Sequence, residues 1–147
     1  MTDAIDIAAL SGVEQLRLGL TGGFVAPIAR SVGFELVEIE EGRVVFEGVP
    51  TTAFYNPLGT VHGGWMATLL DSACGCVVHS MLRPGQTYTT LELKTVFHKA
   101  LTAGVPVRAE GRIVQMGRRA GFAEADPTAV DGKLYATATS TCLVMAR

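Results

Sequence analysis

One stretch, "NPLGTVHGGWMATLLDSACGCVVHSML" from Asn56 to Leu82, constrains the fold more than any other. From about Gly64 to Met81 nearly every residue is apolar or small, the composition of a helix covered on most sides rather than of an amphipathic surface helix. Asp71 nevertheless stands in its middle. Aspartate is a poor helix-interior residue because its side chain competes for backbone hydrogen bonds. Burying it unpaired costs free energy that a neutral core would avoid. Asp71 therefore either points off the helix, pairs with a neighbour such as Thr68, or serves a site that the helix lines.

The residues before the helix favour the last of these. Asn56-Pro57 and Gly59 mark a constrained turn, and Gly63-Gly64 place bare backbone N–H groups at the helix start. Such termini offer unpaired donors and a field that favours negative charge. They can hold a developing oxyanion, where losing one donor typically costs about 2.7–4 kcal/mol in the transition state. About two helical turns, roughly 10–12 Å, separate the glycines from Asp71. That is too far for acid and donor of one chain to meet at one carbon. A substrate lying along the helix, or a second subunit, removes the difficulty.

The flanks predict the fold. Ala4 to Leu20 carries apolar residues at Ile5, Ala8, Ala9, Val13 and Leu16, a short amphipathic helix ended by Thr21-Gly22-Gly23-Phe24. Pro27 to Gly33 adds one helical turn. "FELVEIE" and "VVFEGV" read as strands joined at Glu41-Gly42. After the helix, "RPGQ" makes a turn. "YTTLELKTVF" then alternates, with Thr89, Leu91, Leu93, Thr95 and Phe97 on one face. "VPVRAEGRIVQM", "RAGFAEAD" and "KLYATATSTCLVM" complete an antiparallel series, with Asp131-Gly132 turning between the last two. Two strands, a long apolar helix and four strands imply an α+β protein whose curved antiparallel sheet wraps the helix. Small helix residues (Gly64, Ala67, Ser72, Ala73, Cys74, Gly75, Cys76) allow the strands to approach closely.

The 147 residues suit one domain, 1–147, preceded by a helical extension over about 1–30. Hydrophobic residues at 48% and charged residues at 18% exclude a disordered chain. A net charge of -2 without a Lys/Arg run argues against nucleic-acid or anionic-membrane partners. No apolar run is long enough for a membrane span. Three cysteines without framework spacing, and an acidic start where a signal peptide needs basic residues, point to a reducing, cytoplasmic setting.

"NPLGTVHGGWMATLLD" resembles the signature of hotdog-fold acyl-CoA thioesterases, in the PaaI-like branch that includes phenylacetate-degradation thioesterases. Asn56, His62, Gly63, Gly64 and Asp71 occupy the fixed positions, and the similarity runs through "GRRAGFAEA" and "DGKLYATATSTCLV". The resemblance implies a hotdog fold, with an antiparallel sheet of five to six strands around the central helix, and sites shared between subunits of a homo-oligomer, a dimer or a dimer of dimers. It implies that the Gly63 N–H polarises a thioester carbonyl while Asp71 of the other subunit attacks the carbon or activates water. Asn56 then positions the reacting groups, His62 braces the loop and Thr90 orients water or acid. Gly64 lies at the substrate. An acyl-CoA substrate with no cofactor and no metal follows, and a homotetramer is one assembly the branch forms.

Other residues read less sharply. Arg118 and Arg119 in "GRRAG" suit CoA phosphates, since guanidinium forks match phosphate oxygens, or are solvated strand-end arginines. Cys74 and Cys76 lie about 200° apart around a helix and cannot share one metal, so core positions are expected. Trp65 and Met66 are read as core, and His79 near Cys76 does not complete a ligand set. His98 departs from the large apolar residue that relatives carry. The alternative function is a non-catalytic acyl-CoA binding or regulatory protein on the same fold, which an intact Asp71 disfavours.

Overall fold

A computed structural model describes residues 5–147. After a 3-10 turn at Ile7–Ala9, helix α1 spans Gly12–Thr21 and α2 spans Pro27–Val32. Strands β1 (Phe34–Glu40) and β2 (Arg43–Gly48) precede a 3-10 turn at Thr52–Phe54 and the central helix α3, Gly63–Ser80. Strands β3 (Gln86–Phe97), β4 (Val107–Met116), β5 (Ala120–Ala129) and β6 (Ala136–Ala146) follow. The six strands form one antiparallel sheet in the order β1-β2-β4-β5-β6-β3, curved around α3. This is the hotdog arrangement.

The small residues of α3 and the facing glycines explain the tight wrap. A Cβ built on Gly111 of β4 would stand 2.4 Å from the Ala73 carbonyl oxygen, and one on Gly121 of β5 would stand 2.9 Å from Val78. Leu69, Leu70, Ala73, Cys74, Val77 and Val78 of α3 have no exposed surface. Burying such a side chain contributes on the order of 1.5–3 kcal/mol each for the larger ones. The β1–β2 turn uses Gly42 at φ +82°, as the Glu41-Gly42 pair predicts. The turn is tied to the helix end, because the Gly42 N–H donates to Ser80 Oγ at 2.9 Å while that hydroxyl donates to the Val77 carbonyl at 2.6 Å.

Two expectations need correction. The N-terminal helix does not run unbroken to Leu20, and its expected start at Ala4 lies outside the described residues. Leu10 is extended (φ -86°, ψ 148°), and a new helix begins with Ser11 and Glu14 in a reciprocal capping box. Gly12 explains the break. Its N–H donates to the Leu82 carbonyl at 2.9 Å, and a Cβ there would fall 1.7 Å from the His79 carbonyl oxygen. Docking α1 on the end of α3 thus fixes where the helix may start.

The second correction concerns β3. A bulge between Thr90 and Glu92 shifts the phase of the strand. Thr90, Leu93, Thr95 and Phe97 pair with Cys142, Ser140, Ala138 and Ala136, the helix-facing residues of β6, whereas Thr89 and Leu91 do not share that face. Leu91 is 63% exposed. Buried Ser140 donates to the Glu92 carbonyl at 2.8 Å and satisfies the group that the bulge turns inward.

The outer face of the sheet carries an ion-pair lattice. Arg43 meets Glu38 and Glu110, Arg108 meets Glu38 and Glu47, and Arg112 meets Glu110 and Asp126. Glu38 is held below the usual carboxylate range by its hydrogen bonds from Arg108 and Arg43. No helix among the described residues is long and apolar enough to cross a membrane.

Candidate active site

The helix start is built by its own loop. Asn56 Oδ1 accepts the N–H groups of Leu58 (2.9 Å) and Thr60 (3.2 Å), and its Nδ2 donates to Thr60 Oγ1 at 3.0 Å. The side chain thus closes the turn that Pro57 and Gly59 shape. His62 then caps α3, its Nδ1 accepting the Gly64 N–H at 2.8 Å. The sequence led us to expect two bare amides. Only one is left, because His62 occupies Gly64's, while the Gly63 N–H meets no acceptor among the described residues. Gly63 is also sterically required. A Cβ there would lie 2.8 Å from the Phe97 ring, which covers this point from β3.

Asp71 is exposed on the open side of α3 and is not in the core. Thr68 is not its partner, since Thr68 Oγ1 donates back to the Gly64 carbonyl at 2.8 Å. Thr90 is, donating from Oγ1 to Asp71 Oδ1 at 3.3 Å. The β3 bulge is what turns Thr90 towards the helix. Asp71 and Thr90 therefore form one cluster, and Asn56, His62 and Gly63 form another at the helix N-terminus. Within one chain the two are separated by about 12 Å of helix.

Arg118 and Arg119 are both exposed in the β4–β5 turn. Arg118 lines a cleft of about 540 Å³ at the far end of α3, together with Arg83, Ser11, Glu41, Met81 and Gln86. Arg119 does not line it. A second pocket of about 330 Å³ adjoins the helix start, bordered by His62, Gly64 and Thr68 and by Val32, Phe54 and Trp65.

The remaining candidates are structural. Cys74 is buried, and burial pushes the thiols of Cys74 and Cys76 up to about 12, so both stay protonated and unreactive at neutral pH. His79 bridges three elements, with Nε2 3.1 Å from Gln15 Oε1 and its ring edge-on to Tyr88 at 5.6 Å. Burial lowers its pKa. His98 Nε2 lies 2.9 Å from Thr137 Oγ1 at the surface. Trp65 and Met66 are core residues. No group of His, Cys, Asp and Glu among the described residues has the arrangement of a metal site. Periodicity could not signal the role of Phe97, whose contact with Gly63 joins distant parts of the chain.

A family model described as the thioesterase superfamily matches residues 58–136, the stretch that holds Gly63, Asp71 and Thr90. The chain belongs to the thioesterase superfamily. It is a thioester hydrolase of the hotdog fold. Its solved neighbours include a phenylacetic acid degradation-related protein of Ralstonia eutropha JMP134, with 32% identity, a TM-score of 0.78, and coverage of 86% of this chain and 97% of that one. Another is a hypothetical thioesterase of Streptococcus pneumoniae TIGR4 solved with coenzyme A, at 28% identity and TM-score 0.74, covering 81% and 92%. The 1,4-dihydroxy-2-naphthoyl-CoA hydrolase of Listeria monocytogenes serotype 1/2a (strain 10403S) is 24% identical over 91 residues, 62% of this chain and 73% of that protein. The family match begins at residue 58, whereas the Ralstonia structure covers 86% of this chain, so part of the segment before residue 58 is shared with it.

Proposed function

We propose that this thioesterase hydrolyses acyl-CoA at sites assembled from two copies of the chain, the helix N-terminus of one facing Asp71 of its partner. The observation that carries the reading is the separation of two half-sites. An unpaired Gly63 N–H and an exposed, Thr90-bound Asp71 are each suited to one half of thioester hydrolysis, and each is too far from the other along its own helix. A hydrolase and a coenzyme A complex among the similar proteins support the CoA thioester as substrate.

In this reading the thioester carbonyl oxygen accepts the Gly63 N–H of one copy, and the field of α3 stabilises the negative charge that develops there. Asp71 of the other copy, held by Thr90, takes a proton from water as the water oxygen attacks the carbonyl carbon. Collapse of the tetrahedral intermediate breaks the C–S bond, and CoA leaves as thiolate and takes up the proton. Direct attack by the Asp71 carboxylate is the other route, forming an anhydride that water then opens. Single turnover in ¹⁸O-water separates them, since only the second can leave label in the protein. Asn56 and His62 hold the loop that presents Gly63, and Gly64 lets the substrate pass close to the backbone. Arg118, with Arg83 beside it, supplies the phosphate-binding cleft, and Arg119 contributes charge from the same turn. The copies associate as a dimer or a dimer of dimers.

Release of free thiol from a panel of acyl-CoAs, wild type beside Asp71→Asn, tests the activity. Loss of at least about a hundredfold in a folded variant supports it. Equal rates in the two proteins remove Asp71 from the mechanism.

A further inference from the structure

The mechanism uses the helix start and Asp71 but gives no place to the 330 Å³ pocket beside Gly64. Its position limits what it can hold. His62 and Gly64 border it, and both adjoin Gly63. Gly63 itself does not line the pocket, but a carbonyl carbon whose oxygen accepts its N–H has the pocket border one residue away on either side, within reach of one of its two substituents, acyl carbon or sulfur. The lining decides which. Val32, Phe54, Tyr55 and Trp65 supply its walls, and no Asp, Glu, Lys or Arg lines it. The cleft at the other end of α3 differs in carrying charge, with Arg83, Arg118 and Glu41 set among apolar residues such as Met81, Leu82 and Met116. One recess thus suits an apolar limb and the other an anionic limb, the two ends of an acyl-CoA.

The walls are fixed in place. Trp65 Nε1 donates to the Val32 carbonyl at 2.9 Å, the Tyr55 hydroxyl accepts the Ala103 N–H at 3.0 Å, and the His62 N–H donates to the Phe54 carbonyl at 2.7 Å. Trp65 is 4% exposed and packs on Phe54 with ring centroids 6.5 Å apart. These bonds hold Trp65, Tyr55 and the His62 backbone in place around a recess that opens to solvent. About 330 Å³ is near the lower end of the range for small-molecule sites, which favours a compact group.

We infer that this pocket receives the acyl limb, that it selects compact apolar acyl groups, and that Val32, Ala53 and Phe54, all outside the stretch matched by the family model, set that selectivity. The assignment rests on Gly63 as the oxyanion donor.

The test compares kcat/KM for acetyl-, hexanoyl- and decanoyl-CoA in wild type, Ala53→Phe and Val32→Ala. Ala53→Phe fills the pocket and should lower the hexanoyl-to-acetyl preference by at least about tenfold, the scale on which apolar pockets discriminate. Val32→Ala enlarges it and should raise the decanoyl-to-hexanoyl preference, which keeps the test decisive if Ala53→Phe fails to fold. Unchanged ratios, or equal loss on all three substrates, would overturn the assignment and place the pantetheine arm or nothing in the pocket. If wild type turns over no thioester, the hydrolysis reading fails by itself, and calorimetry with the thioether S-hexyl-CoA against CoA reads the pocket directly. Binding at least about tenfold tighter than CoA, lost in Ala53→Phe, sustains the pocket. Equal affinity for the two probes overturns it.

Discussion

Along one arc of α3, Leu69, Leu70, Ala73 and Val77 lose all contact with solvent, while on the other Gly64 and Asp71 stay exposed and Thr68 and Ser72 are half-buried. Both arcs belong to the same 18-residue helix. The difference lies in what covers them. The sheet closes the first arc, with Gly111 and Gly121 letting β4 and β5 come close. No strand among the described residues closes the second, where Tyr88, Thr90 and Phe97 of β3 reach the helix. A helix too apolar for the surface thus keeps one polar stripe, and that stripe carries the acid. In the proposed mechanism the closed arc answers for stability and the open one for turnover.

Substitutions on the two arcs should separate those quantities. The largest effect is expected from Asp71→Asn, with kcat lowered by about a hundredfold or more and the thermal midpoint nearly unchanged, because an exposed side chain is exchanged. Circular dichroism melting beside thiol release checks both halves. Leu69→Ala should do the reverse, costing about 2–5 kcal/mol by denaturant titration with near-normal turnover per folded molecule. A variant that changed both quantities together would break the division.

Gly63→Ala sits where the arcs meet. Its Cβ would press on the Phe97 ring, and overpacking of this kind costs about 1–3 kcal/mol. Turnover should fall by at least about tenfold as the helix start shifts, and Phe97→Leu in the same chain should restore part of it. Failure of the second substitution to help would show that the ring is not what makes glycine necessary. Thr90→Ala removes one hydrogen bond to the carboxylate, for which about 1.4 kcal/mol, or about tenfold in kcat, is the expected loss.

The smallest effect belongs to the outer face of the sheet, remote from both arcs. Glu38 has a folded-state pKa below the ordinary 4.5 because Arg108 and Arg43 hold its carboxylate. Its contribution is present above that ordinary value and is lost as pH falls through the lowered folded value. Solvent screens this exposed lattice, so Glu38→Gln should alter stability slightly at neutral pH and flatten its fall on acidification. Urea titrations across pH 3–7 would read it.

Much of this division was legible in the sequence. The apolar run with Asp71 at its centre, the turn residues on either side and two strands before and four after gave the wrapped helix in its observed order. The spacing from Gly63 to Asp71 already put about two helical turns between the two candidate clusters. Three things were hidden. Alternation cannot foresee a bulge, and the bulge in β3, stabilised by Ser140 from β6, is what turns Thr90 to Asp71. A helix start depends on what it docks against, so the break before Gly12 needed the His79 and Leu82 carbonyls in place. Occupancy of the Gly64 N–H by His62 depends on a side-chain rotamer, and the Phe97 contact on tertiary packing, neither of which has a period.

Subunit exchange tests the central claim most directly. Asn56→Ala damages the loop that presents Gly63, and Asp71→Asn removes the acid, so each homo-oligomer should be nearly inactive. Mixed and allowed to exchange, they should recover about a quarter of wild-type turnover, since about half of randomly paired dimers are mixed and one of their two sites is intact. No recovery, with mixed dimers demonstrated by a tag on one parent, would contradict a site built from two chains.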